Sequence, residues 1–129
     1  GYTELRIDLV YQGKSYYAIY QVSIGDESSN YRLTLSGYSG DAGDSFSYNS
    51  GSDFSTPDRD NDKDARRNCA EISGGGGWWY NACTQANLNG KHGVKGSQGM
   101  IWEALNPDQP VTSYEMKLRN PDYEQLSDN

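Results

Sequence analysis

The densest chemical signal in the sequence is the stretch Asp58-Arg59-Asp60-Asn61-Asp62-Lys63-Asp64. Carboxylates at alternate positions can curl around one hard cation. Calcium takes about six to eight oxygens, which loops supply from side chains and backbone carbonyls. The order D-x-D-N-D matches the opening of an EF-hand loop, but the likeness stops there. Lys63 stands where that loop needs glycine, and Cys69 stands where it needs glutamate. No helical pattern flanks it. Spacing alone leaves two readings open, a calcium loop of another kind or an acidic, solvated loop.

A second signal is Gly74-Gly75-Gly76-Gly77-Trp78-Trp79-Tyr80. It lacks the Lys-Ser/Thr ending of a phosphate loop and has no strand-to-helix surround, which argues against a phosphate role. Paired tryptophans close to a cysteine point instead to the anchor of a small core. His92 is the only histidine and sits in a glycine-rich turn, with no G-x-S-x-G nucleophile anywhere. It reads as a surface residue. The many acids leave a carboxylate pair open in principle. No nucleophile, base or cofactor site can be named, so no enzyme is expected.

Cys69 and Cys83 are the two cysteines. With one histidine they cannot fill a four-ligand zinc site. A single disulfide, formed in an oxidising compartment, is the simplest use for them, and two buried free thiols are the alternative.

The elements that must position these residues are mostly short. Leu5, Ile7 and Leu9 alternate with polar neighbours. Tyr16, Ala18, Tyr20, Val22 and Ile24 share a second face, and Tyr31, Leu33 and Leu35 a third. Turns at Gln12-Gly13-Lys14 and Gly25-Asp26-Glu27 predict three antiparallel strands joined in sequence. From Ser36 to Asn68, Gly, Ser, Asp and Asn dominate. Tyr38, Phe46, Tyr48 and Phe54 favour an ordered loop there over disorder. Tyr114, Met116 and Leu118 suggest one last strand, ended by Asn120-Pro121, and the tail 122–129 reads as frayed. No long helix is expected.

Composition narrows the function classes. The 129 residues suffice for one domain, with 34% hydrophobic residues, eleven tyrosines and 15 glycines. The net charge of −7 argues against nucleic acid or an anionic membrane as partner. No apolar run is long enough to span a bilayer, so no membrane insertion is expected. The chain opens at Gly1 directly into a strand pattern, which reads as a fragment whose N-terminal part lies elsewhere.

Several pieces in order carry a resemblance. They are Ala42-Gly43-Asp44-Ser45-Phe46, Phe54-Ser55-Thr56-Pro57-Asp58-Arg59-Asp60-Asn61-Asp62 and Asn68-Cys69-Ala70-Glu71. Gly77-Trp78-Trp79-Tyr80 with Cys83, Asn87-Leu88-Asn89-Gly90, Gly99-Met100-Ile101-Trp102 and Met116-Lys117-Leu118-Arg119 follow. The set resembles the fibrinogen-like domain of fibrinogen chains, ficolins, tachylectins and angiopoietins, from Glu4 to about Arg119.

The resemblance implies an α+β, loop-rich fold: a short antiparallel sheet plus an irregular calcium- and ligand-binding subdomain, lacking the family's N-terminal subdomain. A central β subdomain would span about 1–40, the calcium and ligand subdomain about 41–119, and a tail 120–129. Cys69 and Cys83 would form a disulfide. Calcium would be held by Asp60 and Asp62, with the carbonyls of Asp64 and Arg66. A ligand site would lie at Asn81, Ala82, Cys83 and Thr84, beside a cis peptide at Ala82–Cys83. Four departures stand out: one extra residue between Asp62 and Cys69, Arg67 in place of glycine, Thr84 in place of histidine, and a short 91–98 loop without Tyr or Phe.

The function implied is a secreted, extracellular, calcium-dependent lectin-like module of innate immunity. It would bind bacterial or fungal surface glycans, acetylated sugars or cell-wall components, within an oligomeric parent that supplies multivalency. The altered pocket favours a different partner class, as in a protein-binding module of angiopoietin-like or extracellular-matrix type.

Overall fold

The structure is a computed structural model that describes residues 3–120. The expectation of a frayed tail at 122–129 lies outside the described residues. In chain order the regular elements are β1 (Thr3–Tyr11), β2 (Lys14–Ile24), β3 (Leu33–Gly40), α1 (Cys69–Ile72), β4 (Ala86–Asn87), β5 (Ile101–Trp102) and β6 (Ser113–Arg119). The result is a β-rich, loop-rich domain, and α1 is its one α-helix among the described residues.

Strands β1, β2 and β3 follow one another as antiparallel neighbours, and β6 returns to the far side of β1. The β1–β2 turn is Gln12-Gly13, both at positive φ, as a two-residue mirror-image turn requires. Alternation then puts Leu5, Ile7, Leu9, Ala18, Tyr20, Val22, Leu33 and Leu35 on one buried face. The sheet's fourth strand thus comes from the segment assigned to the second subdomain.

Two features differ from the pattern read in the sequence. Tyr31 is not in β3. It follows Asn30 in the left-handed region, its N–H bonds Asp26 at 2.9 Å, and its ring is exposed. Ile24, Met116 and Leu118 do lie on the apolar face, since Leu118 pairs with Leu5 and Met116 with Ile7. They are nonetheless exposed, Leu118 by 65%. With Leu5, Val22 and Leu33 they border an apolar hollow of about 160 Å³. β6 is pinned from the other face. Register sets Lys117 opposite Arg6 and Glu115 opposite Asp8, an arrangement of like charges. Arg6 and Lys117 both turn to Asp8, each at 3.0 Å, and Arg6 chiefly holds that carboxyl below the ordinary range.

The second layer is the irregular half of the chain, and it packs through aromatic rings. Phe46 is fully buried, stacks on Trp78 at 5.1 Å and meets the edge of Tyr20 at 6.0 Å. Of the tryptophan pair expected to anchor the core, Trp78 is buried and Trp79 half-buried; Trp102 is buried as well. The Tyr20 hydroxyl donates to Asp44 at 2.8 Å, and burial, then this bond, raises its pKa. The stretch from Ser36 to Asn68 is ordered by these rings and by backbone bonds to the sheet: Gly51 N–H to Leu33 and Leu33 N–H to Ser52.

Phe46→Ala removes the ring that joins both layers. It is expected to cost about 3–5 kcal/mol in guanidinium denaturation. A loss below about 1 kcal/mol would mean that the two layers do not depend on this stack.

Candidate functional site

The acidic loop is wound by its own side chains. Asp60 accepts the N–H of Asp62 at 3.2 Å, Asp62 that of Asp64 at 2.9 Å, and Asp64 that of Arg66 at 3.0 Å. These are successive Asx-type turns, in which each carboxylate bonds the backbone two residues on. The other oxygen of Asp62 accepts the N–H of Cys69 at 2.8 Å. Asn68 caps α1 through Glu71 N–H and closes the loop by donating to the Pro57 carbonyl at 2.8 Å.

Burial, opposed by these backbone bonds and aided by the neighbouring Asp60, raises the Asp62 pKa. Asp60 and Asp62 offer hard oxygen donors of the kind that calcium takes, and both oxygens of Asp62 also accept backbone N–H groups. The Asp64 carboxylate is engaged by Arg66 N–H and by the Arg67 side chain at 2.6 Å, and its pKa is lowered. Asp64 also lies near Cys69 and Cys83, but those sulfurs are bonded to each other.

Cys69 and Cys83 form the disulfide, with an S–S distance of 2.13 Å. The peptide bond Ala82–Cys83 is cis, at the position that the sequence resemblance implied. Around it the chain is fixed by Tyr48 and Asn49. The Tyr48 hydroxyl donates to the Ala82 carbonyl at 3.0 Å, and Asn81 donates back to the Tyr48 carbonyl at 2.8 Å. Buried Asn49 donates to the Trp79 carbonyl at 2.8 Å and to Thr84 Oγ1 at 2.7 Å. The Thr84 hydroxyl in turn donates to the Ala86 carbonyl.

A cavity of about 260 Å³ opens beside Cys83. Cys83 and Thr84 line it, but Asn81 and Ala82 do not; their polar groups are spent on the turn. Arg67, Gln85, Asn87 and Glu103 also line it, and sequence reading did not assign them to a ligand site. Asn87 stands in the quoted Asn-Leu-Asn-Gly piece, a usable signal. Glu103 follows Trp102 with nothing local to mark it. Behind Asn87, which donates to the Gly99 carbonyl, the backbone is tightly built: a Cβ on Gly99 would fall inside the Val94 carbonyl, and one on Gly90 inside the Gly99 carbonyl. His92 is exposed, with its ring near the Thr112 carbonyl at 3.3 Å.

Residues 1–121 match the family model described as fibrinogen beta and gamma chains, C-terminal globular domain. The chain belongs to this fibrinogen C-terminal domain family. It is 43% identical over 129 residues to tenascin of Gallus gallus, covering 98% of this chain and 7% of that protein. The fibrinogen-like globe domain of human ANGPTL6 superposes with a TM-score of 0.84 at 38% identity, covering 92% of this chain and 57% of that one. Lamprey fibrin D-dimer, in complex with the peptide Gly-His-Arg-Pro-amide, gives a TM-score of 0.81 at 35% identity, covering 90% and 44%. The chain therefore spans well under a tenth of the tenascin and little more than half of the globe domain. Among the described residues, no helix of this fibrinogen-like domain is long and apolar enough to cross a membrane.

The disulfide ties the acidic loop to the cavity wall across 14 residues. Replacing Cys69→Ser and Cys83→Ser together is expected to lower stability by about 3 kcal/mol in the loop-entropy account. The readout is the urea midpoint under non-reducing conditions. An unchanged midpoint would mean that the packing alone holds the loop.

Proposed function

We propose that this domain is an extracellular, non-catalytic, protein-binding module of matrix type, which engages its partner at the cavity beside the Cys69–Cys83 disulfide. One observation carries the choice of partner: no residue lining the cavity is aromatic. A sugar ring would find no flat apolar face to stack on. An extended peptide needs none, since backbone groups and short side chains suffice. The likeness to tenascin and to the ANGPTL6 globe domain supports protein binding over glycan recognition. So does the peptide carried by lamprey fibrin. The expectation of a microbial-glycan lectin gives way to this alternative. The disulfide supports an oxidising, extracellular setting.

The test places a photo-crosslinking residue at Gln85, exposes the domain to soluble matrix protein, and maps the adducts. Expected are protein adducts that vanish when Thr84→Trp blocks the cavity, with no retention on acetylated glycans. Chelator-sensitive retention on those glycans, without protein adducts, would restore the lectin reading.

Calcium belongs to the same proposal. Asp60 and Asp62 would supply carboxylates, and Asp64 and Arg66 carbonyls, to one ion. The ion would favour the charged form of Asp62, whose pKa is raised chiefly by burial and also by Asp60, and would stiffen the loop that carries Arg67. Calcium at about 1 mM is expected to raise the melting temperature by mass action, and Asp60→Ala with Asp62→Ala to abolish the shift. An unchanged melting temperature in the unmutated domain would remove the site.

A further inference from the structure

Resting on that reading of the cavity, we propose that Arg67 and Glu103 set its specificity, and that it takes a peptide segment bearing both an acidic and a basic side chain. Two observations carry it, and a third concerns the wall behind them.

The first is how Arg67 is held. Its Nε donates to Asp64 Oδ2 at 2.6 Å, and its terminal amino groups have no other partner among the described residues. One edge of the guanidinium plane is thus fixed by a carboxylate. Arg67 lines the cavity, and its remaining donors are left for a second acceptor, in a fork that suits a carboxylate.

The second is Glu103. Its backbone N–H is tied to the Gln85 carbonyl at 2.9 Å, which fixes its place on the wall. Its carboxylate makes no ion pair or hydrogen bond among the described residues. The cavity thus carries one free acceptor group and one half-used donor group, of opposite charge.

The third is Asn87, which is only 2% exposed and lines the same cavity. Its amide nitrogen is spent on the carbonyls of Ser73 at 2.9 Å and Gly99 at 3.1 Å. That leaves Oδ1 as a buried acceptor without a partner. That oxygen has almost no accessible surface, so Asn87 serves the wall through its amide nitrogen and offers a ligand nothing. Ile72 and Ile101 give the cavity apolar wall on which a peptide stem can lie.

These groups ask for a carboxylate at Arg67 and a cation at Glu103. A neutral apolar ligand would leave both charges unused, and a simple anion would meet Glu103. Charges at a partly open rim contribute selectivity more than raw affinity.

The experiment follows amide and Arg Nε resonances of the ¹⁵N-labelled domain during titration with four blocked tetrapeptides. They are acetyl-Leu-Asp-Ala-Lys-amide, its Asp-to-Asn form, its Lys-to-Gln form, and the doubly neutral peptide. The parent peptide is expected to shift the Gln85 and Glu103 amides and Arg67 Nε. Each neutralisation should weaken binding by about threefold, the size expected of a rim ion pair. Arg67→Gln should erase only the preference for Asp, with Arg67→Lys restoring part of it. Glu103→Gln should erase only the preference for Lys. An unchanged melting temperature in each variant controls for folding. Equal binding of all four peptides at these amides would overturn the selectivity while leaving the cavity a peptide site. No shift of the cavity amides by any peptide up to about 5 mM would overturn both.

Discussion

The irregular half of this domain depends on indole N–H groups. That half has two strands of two residues each and a four-residue helix. It cannot satisfy its own backbone by ladders. Trp78 donates to the Ala86 carbonyl at 2.7 Å, Trp79 to Tyr31 at 2.8 Å, and Trp102 to Gly43 at 3.0 Å. Trp79 and Trp102 thereby reach loops far away in the chain, and Trp78 reaches the first residue of β4. The rings bury the large area and their polar edges hold the loops, so one residue type supplies both apolar burial and geometry. An orphaned carbonyl in such a loop would be costly, and here the core itself supplies the donors.

The same division of labour shapes the candidate site. The backbone around Cys83 is held from inside, by Asn49, Tyr48 and the disulfide. The side chains that would meet a partner project from that fixed frame. The acidic loop lies against it through the Asp62 bond to the first residue of α1. An ion bound in the loop and a ligand bound in the cavity would therefore act on one short segment, residues 62–69. Stiffening it for one would reduce the ordering cost for the other.

Much of this was legible in the sequence, for physical reasons. Period-two alternation with a glycine turn defines β1 and β2 without tertiary information, and Tyr114, Met116 and Leu118 mark β6. The end of the apolar face was not legible. Leu118 and Ile24 have strand chemistry, but their exposure depends on tertiary packing. Tyr31 was misplaced because its left-handed backbone is set by Asp26 and Trp79, a local and a distant partner respectively. At the site, the disulfide, the cis bond and the acidic loop followed from ordered motifs. Glu103 and Gln85 did not, because a cavity wall assembled from three loops leaves no periodic trace. Asn81 and Ala82 show the converse. They belong to the right turn, yet their groups are consumed in building it.

The glycines behind the cavity wall have a consequence for how such a domain diversifies. Gly90 and Gly99 run so close to neighbouring carbonyls that no side chain can be added without moving backbone. Arg67, Gln85 and Glu103 face no such restriction. On the proposed reading, partner choice would drift by single substitutions at three wall positions, while Gly90 and Gly99 stay fixed. Duplicated copies of this domain would part ways in what they bind long before they part ways in shape.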